Sequence, residues 1–324
     1  MPPFYSPLHH ESLLRVSGPD AATFLQGQTT CDVRQVDSHN ARPGAWCNVQ
    51  GRILADFLLT LDAAGHYLLR LRADIIEGTA ERLKKYVVFS KASIDAAPDW
   101  QVIGCWGEGV KAALQALLPE VPGARHGSCA GEGYQLLQVD DAGQRYELFL
   151  SSERKDLLEA LPAHLQAAEP GQWRALEIAA GIGRVEAATV EAFLPQMLNY
   201  DLTGFVNFQK GCYTGQEVIA RLHYRGTAKR RLFLARVDAA EIPTAGTGLY
   251  TEGANQAAGN VVNAVATGEQ SCALLVCASL SAAQAPLCLG NADGPRLQLQ
   301  APDYLEEALS EAGQDGQQGN TAKP

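Results

Sequence analysis

The chain has 324 residues, a formal net charge of −10 and a sequence pI near 5.2, with 46% hydrophobic and 19% charged residues. Such a chain is an ordinary globular protein of two or three domains, and its acidity excludes broad electrostatic binding to nucleic acid while leaving room for one basic cleft. No apolar run reaches the roughly 18–20 residues that span a bilayer, and the start, Met1-Pro2-Pro3-Phe4-Tyr5-Ser6, has no secretory-signal pattern, so no membrane partner is expected.

Eight cysteines are scattered at 31, 47, 105, 129, 212, 272, 277 and 288, with no Cys-x-x-Cys pair and no histidine at a zinc-like spacing. A chain of this size needs no disulfide staples. The thiols therefore read as reduced, the compartment as cytoplasmic, and most of the cysteines as small buried hydrophobes.

In chain order, 13–16 reads as a strand and Gly18-Pro19-Asp20 as the opening of a helix over 21–26. A polar turn, Asn48-Val49-Gln50-Gly51-Arg52, precedes strands at 53–61 and 66–71. Asp74 with Glu77 resembles a capping box for a helix to about residue 86. Val87-Val88-Phe89 then reads as strand, and Lys84, Lys85 and Lys91 as a solvated edge. Residues 99–168 order as strand (102–106), helix (110–118), hairpin (134–139 with 145–150) and helix (154–168, interrupted by Pro162), half of a ferredoxin-like layer. Gly104, Gly107 and Gly109 lack the dinucleotide-binding spacing. Trp173 opens a short helix ending near Gly181, its ring either core or a flat surface for a ring ligand. Short strands at 232–237, 261–266, 272–278 and 297–300 suggest a small β-barrel or sandwich, and the polar end at 310–324 reads as disordered.

The densest chemistry lies in Lys210-Gly211-Cys212-Tyr213-Thr214-Gly215-Gln216-Glu217. Thr214 and Glu217 fit a capping box, predicting a helix from 215 to about 224. Cys212 then sits just outside a helix N-terminus, with Lys210 two residues away, and both would favour thiolate. Gly211 and Gly215 permit close backbone approach to a ligand, and Arg221 stands at helix-pair spacing from Glu217. Over 210–231 there are six basic residues (Lys210, Arg221, Arg225, Lys229, Arg230, Arg231) and one acid. The residues alone leave two readings: a thiol or ligand-clamping turn, or a plain helix cap beside a filler cysteine. His223 falls at the far end of the same helix, which disfavours a protease-like dyad.

The stretch 210–221 closely resembles the Lys-Gly-Cys-Tyr-x-Gly-Gln-Glu signature of the YgfZ family, folate-binding relatives of the T-protein of the glycine cleavage system. Supporting stretches are Gly27-Gln28-x-Thr30-x-Asp32-Val33, Gly44-Ala45-x-Cys47-x-x-x-Gly51-Arg52, Leu83-Lys84-Lys85-Tyr86-Val87 with Ser90-Lys91, and 193–199, so the resemblance spans about 12–300. It implies an α+β, T-protein-like three-domain ring: two ferredoxin-like domains and a C-terminal β-barrel around a central channel holding tetrahydrofolate or a related reduced folate. The implied domains are 1–95 with 173–228, 96–172 and 229–306, followed by a disordered tail over 307–324.

The same resemblance implies an accessory factor for iron–sulfur cluster assembly or repair, serving iron–sulfur enzymes (tRNA-thiolating ones included) and cluster-assembly proteins as a monomer. Cys212 would be the reactive thiol, with Trp173, Lys210, Gly211, Gln216 and Arg221 at the folate and no resident metal. A second family tryptophan falls near Glu11 here. The T-protein relatives carry an acidic pair where this chain has Ala55-Asp56, which weakens the rival reading as a folate-dependent aminomethyltransferase. Direct tRNA contact through 221–231 is a third reading.

Overall fold

The computed structural model describes residues 3–318. Its contacts divide the chain into two compact units: 1–174 with 185–192 and 205–218, and 175–184 with 193–204 and 219–324.

The first unit holds two sheets. One has five strands in the order Arg42–Cys47, Ile53–Leu61, Tyr67–Arg72, Glu11–Ser17 and Ser93–Ala96. Eight of the nine residues of Ile53–Leu61 are buried, which its nearly unbroken apolar run requires of a strand covered on both faces. The helices Ala21–Gln28 and Ile76–Lys84 contribute Phe24, Leu25, Ala80 and Leu83 to the core of this sheet. The other sheet has six strands: Gln166–Ala167, Phe4–Pro7, Trp100–Trp106, Arg145–Ser151, Tyr134–Gln138 and Ser128–Gly131. Phe4–Pro7 lies in this second sheet, not beside the strand that follows it in sequence, pairing antiparallel with Trp100–Trp106.

A buried ion network joins the two sheets. Arg70 donates to both carboxylate oxygens of Glu147 at 2.9 and 2.7 Å, and Arg72 donates to Glu11 at 2.6 Å. Glu11 also lies 3.5 Å from Arg70, and all four side chains are buried. A bidentate guanidinium–carboxylate pair fixes orientation as well as charge.

The second unit is built on one open, curled antiparallel sheet of six strands, ordered Leu287–Leu289, Gly248–Thr251, Gly259–Gly268, Ser271–Ser279, Arg230–Val237 and Gln298–Gln300. Leu249, Val261, Leu274 and Val276 supply its core. The two short strands Gly248–Thr251 and Leu287–Leu289 escaped the sequence reading because neither carries enough alternation to stand out.

Four local expectations change, the first being the helix expected over 154–168, which is confined to Lys155–Ala160 while Gln166–Ala167 joins a sheet. Asp74 does not cap the helix Ile76–Lys84; its carboxylate accepts from the Ala187 N–H at 2.8 Å. Residues 87–89 form a turn, not a strand, and the strand follows at Ser93–Ala96. The helix Asp303–Gln318 occupies much of the end that composition marks as disordered, anchored by fully buried Leu305; the rest of that end, 319–324, lies outside the described residues. Among the described residues no helix is long and apolar enough to cross a membrane.

One titration follows from the packing of the first unit. Burial, helped by the charges of Arg125 and Arg42, pulls His126 down to a pKa of about 4. The unfolded chain takes up that proton near pH 6.5, so between 6.5 and 4 the unfolded state binds more protons and stability falls as pH falls. Denaturant midpoints should drop over this window and flatten in His126→Asn, which keeps a residue tolerant of the left-handed φ of 62°.

Candidate functional site

The signature turn is locked onto the first unit from below. The Lys210 side chain is buried, and its ammonium donates to the carbonyls of Gln26, Thr29 and Cys31 at 2.8, 2.5 and 2.7 Å. Burial, with a smaller push from Arg34, brings its pKa down to about 8, so at pH 7 it remains the ammonium whose three protons match the three acceptors. The ring of Tyr213 lies 5.1 Å from Nζ.

The acceptor loop is itself stitched. The Thr30 hydroxyl donates to the Phe205 carbonyl at 2.6 Å and accepts from the Ala45 N–H at 2.8 Å, while Asn207 N–H donates to the Thr30 carbonyl. Asp32 accepts from Gln26 and Arg34, and the Arg34 hydrogen bond, ahead of other causes, lowers its carboxyl to about 2. The motif 27–33, legible in sequence only as part of a resemblance, is thus the seat of the signature turn.

Gly215 supplies the second lock. Its φ is +84°, and a Cβ there would meet the Asn48 carbonyl oxygen at 2.4 Å and Gly51 Cα at 3.1 Å. The close approach that glycine permits is therefore to the turn 48–51, not to a ligand. That turn is rigid in its own right, because Asn48 Oδ1 accepts from the N–H groups of Gln50 and Arg52 at 2.9 and 3.0 Å. Gly211 faces open space.

The helix that follows runs over Gln216–Arg225, close to the expected span. Its start is organised differently. Tyr213 N–H donates to Gln216 Oε1, Gln216 N–H donates to the Tyr213 carbonyl, and the Thr214 hydroxyl turns to Gln28 at 3.4 Å. The Gln216 side chain therefore serves the helix start in place of the Thr214–Glu217 pair expected, and the Thr214 hydroxyl serves the loop of Gln28.

Cys212 stands exposed on this doubly anchored turn, and the other seven cysteines are buried. Burial raises the thiols of Cys129 to about 11 and of Cys105 and Cys277 to about 12, and pushes Cys47 higher still. A thiol-specific reagent on the native protein is expected to label one site, lost in Cys212→Ala, and eight after denaturation; two or more fast sites in the native state would contradict this arrangement.

The remaining candidates separate. Trp173 is 1% exposed, its ring packed where a Cβ on Gly104 would lie 2.6 Å away and 5.8 Å from the Trp106 ring centroid. Its indole is part of the core and offers no open face in this conformation. Gln216 is half-buried, and its amide oxygen serves the turn. Arg221 and Arg225 are exposed on the helix and Lys229 is exposed beyond its end, whereas Arg231 is bonded to Asp201 at 2.7 Å. The basic run of 210–231 is therefore no continuous patch, since Lys210 is buried and Arg231 is paired. Asp56 is 1% exposed and accepts from the Val185 N–H at 2.6 Å, so its carboxylate holds backbone.

The fold is that of an aminomethyltransferase-T-like protein. The structure matches the glycine cleavage system aminomethyltransferase T from Bartonella henselae with a TM-score of 0.68 at 14% identity, covering 94% of this chain and 86% of that one. In sequence the chain is 34% identical over 239 residues, 74% of its length and 72% of theirs, to the tRNA-modifying protein YgfZ of Yersinia pestis (strain Pestoides F). It is 33% identical over an equal span to the YgfZ of Pectobacterium carotovorum. No family model matches the sequence. The chain belongs to the YgfZ family.

Proposed function

We propose that this protein acts in tRNA modification as a YgfZ-type accessory factor, binding a reduced folate and supporting iron–sulfur enzymes, tRNA-thiolating ones included, through the Cys212 thiol. The observation that carries the reading is the placement of Cys212: one exposed thiol among eight, on a turn pinned by Lys210 beneath and Gly215 beside it. A thiolate is a soft ligand suited to iron or sulfur, but clusters are typically held by about four cysteines. One thiol therefore serves transient transfer or repair, with the client or the folate completing any coordination.

Folate enters through the family resemblance. Of the residues first assigned to it, Arg221 retains an exposed charge able to meet the glutamate carboxylates. Trp173, Lys210 and Gln216 would act by holding the framework, not by touching the ligand.

The test is restoration of thiolated tRNA in a bacterium lacking its own YgfZ. Cys212→Ala is expected to leave thermal stability and tetrahydrofolate affinity unchanged and thiolated tRNA at the deletion level. Full restoration by that variant would remove the thiol from the mechanism. The aminomethyltransferase reading is the weaker one, because Ala55 replaces the first acid of the T-protein pair and Asp56 is engaged with Val185.

A further inference from the structure

Seven large hydrophobic side chains stand exposed among the described residues, and four belong to the first unit: Val49 at 70%, Tyr86 at 52%, Val88 at 70% and Phe89 at 101%. Tyr86 and Val49 each connect to the seat of the signature turn. Tyr86 meets Trp46 edge-on at 6.1 Å between ring centroids. Trp46 bridges to Thr29, whose carbonyl Lys210 holds. Val49 sits on the turn 48–51 against which Gly215 packs, three residues from Cys212.

Val88 and Phe89 are placed there by a closed turn. Ser90 N–H donates to the Val87 carbonyl at 2.8 Å, making Val88 and Phe89 the two corner residues. Corners favour Pro, Gly, Asn and Asp, and a β-branched residue beside a bare phenyl ring breaks that rule. The turn is also held from both sides: Tyr86 N–H donates to the Leu83 carbonyl at 2.9 Å, and Lys91 N–H donates to Asp20 Oδ2 at 2.7 Å. A fold that secures a solvated phenylalanine this way sets local sequence rules against solubility, the mark of a functional surface. Lys84, Lys85 and Lys91 stand exposed around it, with Lys84 3.5 Å from Asp95.

We propose that the turn 87–90, with Val49 and Tyr86, is the docking surface for the iron–sulfur client: a folded protein whose apolar pocket takes Phe89 inside an acidic rim that meets the lysines. The proposal rests on the accessory-factor reading and names the partner that Cys212 serves. A protein is favoured over RNA because two of the four side chains are valines, which give no stacking face for a base, and because the chain carries −10 overall. An aromatic anchor filling a partner pocket is the usual centre of interface energy.

The probe is the tRNA-thiolating iron–sulfur enzyme purified from the same cell. The wild-type protein is expected to bind it. Val88→Ser/Phe89→Ser should bind on the order of 30-fold more weakly, and a Lys84→Glu/Lys85→Glu/Lys91→Glu variant should bind more weakly with a reduced salt dependence. Unchanged melting temperature and one reactive thiol would show that the variants fold. Absence of wild-type binding, or binding by Val88→Ser/Phe89→Ser within twofold of wild type, overturns the proposal, as does retention of tRNA that this variant loses. In the thiolation assay, full restoration by Val88→Ser/Phe89→Ser while Cys212→Ala fails would sink the docking surface and leave the function standing. Failure of the wild-type protein itself to restore thiolation would sink the function.

Discussion

Lys210→Met is expected to destabilise the protein by on the order of 3–5 kcal/mol, since it strips the donor from three carbonyls in a buried pocket and each unsatisfied group costs roughly 1–3 kcal/mol. Those carbonyls belong to Gln26, Thr29 and Cys31, the loop on which the signature turn rests. The loss should therefore extend beyond stability. With the cage gone, Cys31 should join Cys212 in reacting with a thiol reagent under native conditions. Denaturant unfolding and labelling stoichiometry measure the two effects. Unchanged stability and a single reactive thiol in Lys210→Met would mean that the ammonium does not hold the loop. Lys210→Arg is expected to rescue little, because a planar guanidinium does not present three protons to carbonyls gathered around one nitrogen.

The second large effect lies in the ion network between the sheets of the first unit. Arg70→Met leaves the Glu147 carboxylate buried without its bidentate partner, and breaking such a pair costs about 3–5 kcal/mol. Arg72 still holds Glu11, so the damage should concentrate on Glu147. Adding Glu147→Leu should then recover most of the loss, because an apolar pair of similar volume commonly matches a buried ion pair. A double variant no more stable than Arg70→Met would show that the network acts as a whole.

Both effects belong to residues whose roles the linear sequence hides. A lysine two residues before a cysteine reads as a charge for the thiol or for an anion. Only the fold shows its ammonium occupied by carbonyls about 180 positions away. Glu11 marks the approximate place of a missing family tryptophan, and nothing in the sequence around Arg70 and Arg72 singles them out. Their pairing depends on how two sheets meet. Trp173 reads in sequence as core by default, with a ligand wall as the sharper alternative, and the packing of its ring against Gly104 on a distant strand puts it in the core. The run at 87–89 reads as strand by composition, yet the hydrogen bond from Ser90 to Val87 turns it outward. Periodicity records which residues prefer burial and has no means of recording that a solvated corner has been stabilised elsewhere.

What the sequence determined by itself is local and chemical: the long apolar strands, the helix after the signature turn, the absence of membrane-spanning runs, and the family, because Lys210–Gln216 carries a specific combination of side chains at fixed spacing. The tertiary structure decided which of those side chains face solvent. Lys210, Gln216 and Trp173 turned inward because buried carbonyls, a helix start and a glycine-lined strand needed them. Cys212 stayed outside because the turn that carries it is held by its neighbours. Exposure is set by contacts between segments far apart in the chain, so one thiol out of eight became accessible for a reason that no stretch around it could have shown.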